Sequence, residues 1–276
     1  EFNRMSTTRL YYLLVPMSLI FMFGKGKEPD YSKVLPGVVK VSNSLYYDQT
    51  EITNLNWNEY LHWIAEKSGR KSAEYQDALP DTNVWGGNGC CDSVMMNLYL
   101  RHPEFRDYPV VGVTQTQAMR YCVWRTDRVK ENLAANKKEK KAPAQYLYRL
   151  PSIEEWQLMY ADLEQLPFLV GDEGKSKYRG MARFNLKRDP IDKMGVASTS
   201  NDGADITAPV KSYWPNQYGV YNIVGNVSEW VQEENMHVGG SWNTDKDEDS
   251  SIPQLSESAS SKIGFRCVCE VMQDES

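Results

Sequence analysis

The sequence predicts an α+β domain in which helices come first and loops dominate the second half. Two capping boxes and one apolar helical face mark three helices before about residue 165. Short strand-like runs accompany these helices, and beyond residue 165 the helical periodicity ends. The remaining chain is dense in Gly, Asn, Asp and Pro, and long irregular stretches of this kind usually need ions or disulfides as staples.

The first predicted strand lies within residues 39–52, where the pattern alternates. Asn54 is predicted to cap the helix that follows it. The apolar side chains of that helix are spaced at i, i+3, i+4 and i+7 and are Trp57, Tyr60, Leu61 and Ile64. This spacing places them on one face, which is predicted to be buried.

Capping boxes predict the other two helices. Residues 108–113 read as a short buried strand, and Thr114 with Gln117 then opens the second helix. That helix leads into the charged run 137–141, which is predicted to be a solvated loop. Ser152 with Glu155 opens the third helix, whose buried stripe is Trp156, Met159 and Tyr160.

Composition excludes several classes of protein. The 276 residues carry 31 Lys and Arg against 37 Asp and Glu, a formal charge of −6, and show no basic face. Nucleic-acid binding is therefore not expected. The 8 Trp, 17 Tyr and 7 Phe must be buried somewhere, which excludes disorder throughout. No apolar stretch reaches the roughly 18–20 residues of a confident membrane span.

The N-terminal part is set apart from the rest. Residues 1–30 are interpreted as upstream residues and a signal-like or anchor segment, and residues 31–276 as a single domain. A basic start and the apolar run 10–23 are typical of a secretory signal peptide or a short anchor, and a buried core helix is the alternative. No Cys stands between this run and Cys90, so lipid anchoring is not supported. Membrane association through the segment stays open.

The five cysteines are Cys90, Cys91, Cys122, Cys267 and Cys269. Because five is odd, at least one thiol is free or pairs outside the chain. The three histidines are His62, His102 and His237, and their spacing indicates no metal site. The acidic cluster 245–249 lacks the Gly and the Glu of an EF-hand and is predicted to be a solvated loop.

Four segments occur in an order that resembles the formylglycine-generating enzyme, or sulfatase-modifying factor, family. They are residues 108–124, residues 148–156, Tyr218-Gly-Val-Tyr-Asn-Ile-Val-Gly-Asn-Val-Ser-Glu-Trp230, and Gly239-Gly-Ser-Trp242 followed by Gly264-Phe-Arg-Cys267. The resemblance covers about residues 38–270. It implies that family's fold, a loop-rich variant of the C-type lectin fold with little regular secondary structure.

A narrower resemblance points to the gliding-motility and type IX secretion lipoproteins of Bacteroidota. It rests on residues 80–85, 101–108, 124–129 and 201–210. Those lipoproteins are regarded as structural envelope components. This chain differs from them in its shorter length, in its brief connection from Trp230 to Gly239 and in having no lipobox Cys.

The resemblance also implies a test for catalysis. Enzymes of the family bind copper(I) through two cysteines between the Gly-Gly-Ser and Gly-Phe-Arg-Cys motifs, because soft thiolates select Cu(I). Residues 242–263 contain no Cys, and the family's spacing places Asp249 and Gln254 where the thiols would fall. Copper and family catalysis are therefore not expected, and no catalytic residue is assigned.

Calcium is the cofactor that the resemblance implies, in a structural role. One set of ligands would be Asn185, the Leu186 carbonyl, Asp202 and the Ala204 carbonyl. The other would be Asn222, the carbonyls of Gly225 and Val227, and Glu229. Carboxylate, amide and carbonyl oxygens in loops suit Ca²⁺. The alternative is that Asn222 and Asn226 satisfy turn backbone and Glu229 a neighbouring donor.

A disulfide between Cys122 and Cys267 is likewise implied by the resemblance, with two buried free thiols as the alternative. Arg266 is interpreted as a structural ion-pair or backbone partner. Trp156, Trp230 and Trp242 are interpreted as core residues.

Three functions remain. The leading one is a non-catalytic protein of the periplasm or of the periplasmic face of the outer membrane, whose partners are other envelope proteins such as secretion-apparatus subunits. The second is a formylglycine-generating oxidase, which the missing cysteine pair disfavours. The third is a lectin-like ligand-binding module, which rests on analogy of fold alone.

Overall fold

The computed structural model describes residues 29–86, 92–137, 141–168, 181–187 and 206–272. Its α-helices within these ranges are α1 Asn54–Ser68, α2 Ala73–Asp77, α3 Asp92–Leu98, α4 Gln115–Ala135 and α5 Ile153–Tyr160. Its strands are β1 Val38–Lys40, β2 Leu45–Asp48, β3 Gln145–Arg149, β4 Ser228–Trp230, β5 Met236–Val238, β6 Gln254–Leu255, β7 Ile263–Gly264 and β8 Val268–Met272. The predicted α+β class with a loop-rich second half is confirmed.

The strands form two four-stranded sheets. The first has the order β1-β2-β8-β3 and is antiparallel throughout, so the C-terminal strand β8 lies between strands from the first half of the chain. The second has the order β6-β5-β4-β7, with β4 and β7 parallel and the other pairs antiparallel. Because β7 and β8 are separated by only three residues, this short segment joins the two sheets.

Helices α1 and α4 pack through aromatic side chains. Trp57 stacks on Tyr121 with ring centroids 5.5 Å apart, and Phe265 meets both rings edge-on. These three side chains are buried in the largest hydrophobic cluster. The predicted apolar face of α1 is confirmed, since Trp57, Tyr60, Leu61 and Ile64 are all buried.

The start of α1 differs from the prediction by one residue. Thr53, not Asn54, is the N-cap, because its extended backbone lets the hydroxyl accept from the Asn56 amide N–H. The Asn54 side chain is buried instead and donates to the carbonyls of Tyr99 and Phe105. Both predicted capping boxes, Thr114 with Gln117 and Ser152 with Glu155, are confirmed.

The strand predicted at residues 108–113 was wrong. Only Pro109 makes a β-bridge, to Thr53, although Val110, Val111 and Val113 are buried. The segment is apolar because it passes through the core, where its backbone bonds to scattered partners and not to a neighbouring strand. The short helices α2 and α3 were not anticipated, since they lack the length to show a helical period.

Within the described residues, no helix combines the length and apolar character needed to cross a bilayer. The signal-like run 10–23 lies outside the described residues and stays a prediction.

Candidate functional site

The loop 222–227 before β4 is shaped by left-handed backbone. Asn222, Gly225 and Asn226 have φ values of 51°, 79° and 63°. Only glycine fits at position 225, because the Cβ atom of any other residue would lie 2.5 Å from the Asn185 carbonyl oxygen. Asn tolerates left-handed backbone better than most residues do, which explains the other two positions.

The Asn226 side chain is a fully bonded buried amide. Its oxygen accepts from the Ala208 N–H at 2.7 Å and from Asn185 Nδ2 at 3.1 Å. Its nitrogen donates to Glu51 Oε1 at 2.7 Å and to the Ala208 carbonyl at 3.2 Å. Asn226 therefore does more than satisfy its own turn, since it joins three distant segments.

Glu51 is a buried carboxyl whose side-chain donors are two amides. Asn226 Nδ2 donates to one oxygen and Asn222 Nδ2 to the other, at 2.7 and 3.2 Å. Burial raises the pKa of Glu51 to about 7, and the positive charge of Arg266 opposes that shift. Sequence reasoning missed Glu51, because its partners lie more than 170 residues away.

Arg266 and Glu229 form a fully buried ion pair. Arg266 Nε lies 2.8 and 2.7 Å from the two Glu229 oxygens, and both side chains have an exposure of 0%. The guanidinium also donates to the carbonyls of Tyr221 and Asp48. Burial raises the pKa of Glu229, and Arg266 opposes that shift. The structural role predicted for Arg266 is confirmed.

A second ion pair adjoins the first, because its acid, Asp48, also accepts from Arg266 through the backbone carbonyl. Arg125 on α4 binds the Asp48 carboxylate through both terminal nitrogens, at 2.6 and 2.8 Å. The same carboxylate accepts from the Cys267 backbone N–H at 2.9 Å. Asp48 thus ties α4 and the segment between β7 and β8 to the end of β2.

The two cysteines predicted to form a disulfide are brought together. Cys122 Sγ and Cys267 Sγ lie 3.4 Å apart as buried thiols. Burial raises the pKa of Cys122 well above its usual value and that of Cys269 to about 12, so these groups are held as neutral thiols. The disulfide stays a prediction. Cys90 and Cys91 lie outside the described residues.

The first predicted calcium set is described only in part, since Asp202 and Ala204 lie outside the described residues. Asn185 Nδ2 donates to the Ile206 carbonyl and to Asn226, which fixes the orientation of its amide. Asn185 Oδ1 is then buried without a hydrogen-bond partner. An unsatisfied buried oxygen is costly, and a cation would satisfy it. This part of the set therefore fits Ca²⁺.

The second predicted set fits a cation less well. Both Glu229 oxygens bind Arg266, and the Asn222 amide nitrogen donates to Glu51 and to the Val210 carbonyl. A cation at Glu229 would have to lie beside a buried guanidinium. Among the described residues, no three His, Cys, Asp or Glu side chains gather as a metal site requires.

The two positions where the resemblance would place copper ligands lie on the surface. Asp249 is exposed and accepts from the Ser251 backbone and hydroxyl, at 2.9 and 2.6 Å. Gln254 is exposed in β6, opposite His237. The acids of the 245–249 cluster are exposed too, as predicted for a solvated loop.

His237 is a buried histidine that the sequence did not single out. Its ring meets Trp230 edge-on with centroids 5.8 Å apart, and Nδ1 is buried without a partner. Burial lowers the pKa of His237 to about 4.

The motifs around this site also carry a family signature. The profile of the sulfatase-modifying factor enzyme 1-like domain matches residues 22–271, which is most of the chain. The chain belongs to this family. The predicted family membership is thereby confirmed.

Individual relatives show both active and inactive proteins within the family. A formylglycine-generating enzyme of Mus musculus is 33% identical over 142 residues, 48% of this chain and 31% of that enzyme. The chain thus spans about a third of that enzyme's length. An inactive C-alpha-formylglycine-generating enzyme 2 of Mus musculus is 27% identical over 246 residues, 79% of this chain and 67% of that protein.

One solved structure similar to the chain is the crystal structure of CarF. It has a TM-score of 0.44 and 20% identity, and the match covers 83% of this chain and 87% of that one.

The buried state of His237 predicts a specific loss of stability in acid. The pKa of His237 is lowered on folding. The stability that its neutral form contributes is therefore fully present above pH 6.5 and is lost as the pH falls to about 4. Urea unfolding at pH 7 and pH 4 measures how far the unfolding free energy drops between the two. This drop should be smaller in His237→Gln than in the unsubstituted protein, by up to about 3 kcal/mol. His62→Gln, at an exposed histidine of α1, is the control and should lose as much as the unsubstituted protein. Equal losses for His237→Gln would contradict the assignment.

Proposed function

We propose that this protein is a non-catalytic member of the family that acts in the cell envelope by binding other proteins. The observation that carries the proposal is the chemistry at residues 249 and 254. The family's copper pair is replaced by a carboxylate and an amide, and both side chains are exposed. Hard oxygen ligands do not substitute for thiolates in holding Cu(I).

The inactive relative supports the same direction. It shares 27% identity with this chain, and the match covers 79% of this chain. The domain is therefore present in a protein described as inactive. Without the copper pair, the described site consists of structural contacts: buried amides, two buried ion pairs and core tryptophans. Such a rigid core supports a surface that binds partners.

The envelope assignment depends on the N-terminal segment and on the narrower resemblance. A signal-like run at residues 10–23 directs the chain for export. The partners proposed are subunits of the type IX secretion and gliding-motility apparatus, in the periplasm or on the periplasmic face of the outer membrane.

Calcium is proposed as a structural ion at the first ligand set. Its support is the orphaned Asn185 Oδ1, together with the carboxylate that Asp202 would supply. Leu186 and Ala204 would add carbonyl oxygens. The ion would fix the irregular segments on either side of residues 188–205 and takes no part in a reaction.

Copper binding tests the non-catalytic assignment. The reduced protein, titrated with Cu(I) against a Cu(I) chelator, should leave the metal with the chelator. The double variant Asp249→Cys, Gln254→Cys restores the soft pair and should take Cu(I) up. The matched control, Asp247→Cys with Leu255→Cys, places two thiols in the same stretch outside the family's positions.

The proposal would be overturned by an unsubstituted protein that holds Cu(I) and converts a cysteine of a sulfatase peptide to formylglycine. Its positive half is tested by pulling the tagged protein from gently solubilised envelopes. Secretion-apparatus subunits should be enriched over a tag-only control. Recovery of background proteins alone would contradict the partner assignment.

Calcium binding should raise the melting temperature. An ion at ten times its dissociation constant stabilises a protein by about 1.4 kcal/mol, which for a chain of this size is a shift of about 3–6 °C. Asp202→Asn should abolish the shift between EDTA and millimolar calcium, whereas Asp205→Asn, the neighbouring control, should retain it. A shift that survives Asp202→Asn would place the ion elsewhere, and no shift in the unsubstituted protein would exclude it.

A further inference from the structure

A cavity of about 490 Å³ opens between α1, α2 and α4. Its lining includes the aromatic side chains Trp63 and Trp124 and the charged side chains Glu74, Asp77, Arg120 and Asp127. All of these residues belong to the described ranges. Its size falls within the roughly 300–1,000 Å³ that is usual for sites that hold ligands.

One wall of the cavity is apolar and fixed in place. The Trp124 ring packs against Tyr60 and Tyr121, with centroids 5.1 and 5.2 Å apart. Two exposed apolar side chains continue this wall onto the surface of α4, because Val123 is 64% exposed and Met119, one turn earlier, is 42% exposed. Met119 and Val123 thus form an apolar strip beside the cavity mouth, and no described residue covers it.

Among the side chains that line the cavity, acids outnumber bases. Glu74, Asp77 and Asp127 line it against the single cation Arg120, so three negative charges less one positive charge leave −2. Arg120 lies 4.0 Å from Asp77, and both side chains are more than half exposed, so this pair is weak. Glu74 accepts from the Ser68 hydroxyl at 2.7 Å.

Two further cations lie close to the cavity, over Trp63. Lys67 Nζ and Arg128 Cζ are each 4.6 Å from its ring centroid. Because the chain's own cations already contact that ring, an incoming cation is better received by the carboxylates. Lys and Arg side chains suit this arrangement, since their stems lie on apolar surface while the charged head stays among polar groups.

From this geometry we infer that the cavity and the Met119–Val123 strip form a docking site for a basic segment of a partner protein, with Lys or Arg and apolar side chains interleaved. The carboxylates receive the cationic heads, and the strip with the Trp124 wall receives the apolar side chains. A free amine would use the carboxylates alone and leave the exposed strip uncovered. The inference does not depend on the secretion-apparatus assignment.

The test uses the full chain and a fluorescent Lys-Leu-Lys-Leu-Lys peptide, with Gln-Leu-Gln-Leu-Gln as its neutral counterpart. Fluorescence anisotropy should show binding of the basic peptide only, and the affinity should fall as salt is added. Val123→Lys places a like charge on the strip and should weaken binding about tenfold or more. Ile252→Lys is the matched control, since Ile252 is also exposed, at 58%, lies outside the site and adds the same charge.

Removing the three negative charges that line the cavity, with Glu74→Gln, Asp77→Asn and Asp127→Asn, should weaken binding by several-fold to about tenfold. Glu257→Gln, at an exposed residue outside the cavity, should change it little. Equal losses in Val123→Lys and Ile252→Lys would show general charge attraction and overturn the site. Equal binding of the neutral peptide, or no binding of the basic peptide, would each overturn it too.

Discussion

The buried ion pair between Arg266 and Glu229 is the contact on which the second half of the fold depends. Glu229 lies in β4 and Arg266 in the segment between β7 and β8, so the pair joins that segment to β4 through side chains. The same guanidinium donates to the carbonyls of Asp48 and Tyr221, which belong to the other sheet and to the loop before β4. Four segments therefore meet at one fully buried cation.

Burying such a pair is a constraint more than a source of stability. Two charges lose their hydration, and their attraction recovers this only when the geometry and the remaining hydrogen bonds are good. Here the acceptors are supplied by Glu229 and by carbonyls, and the neighbouring amides of Asn222 and Asn226 are held by Glu51. A loop-rich chain with short strands is thereby held in one arrangement.

Local signals could be predicted from the sequence, and contacts between distant segments could not. Capping boxes at Thr114 and Ser152 predicted α4 and α5, because a cap and its partner are three residues apart. The prediction of a strand at residues 108–113 was wrong. A buried segment without a neighbouring strand has the same apolar sequence as a buried strand. Glu51 with Asn226, and Arg125 with Asp48, join residues 175 and 77 positions apart, so no local pattern reveals them. The resemblance to the family drew attention to Glu229 but did not predict its ion pair with Arg266. The sequence predicted only that Arg266 would bind an acid or the backbone.

The most direct measurement is a double-mutant cycle on this pair, read by urea unfolding. Arg266→Met and Glu229→Met should each lower the unfolding free energy by about 3–5 kcal/mol, because each leaves a buried charge without its partner. The double variant should lose clearly less than the sum of the two, which is the signature of coupling. Arg106→Met, which breaks the exposed pair with Asp107, is the control and should cost about 0.5 kcal/mol or less. Additive losses in the double variant, or single losses no larger than the control's, would contradict the central place given to Arg266 and Glu229.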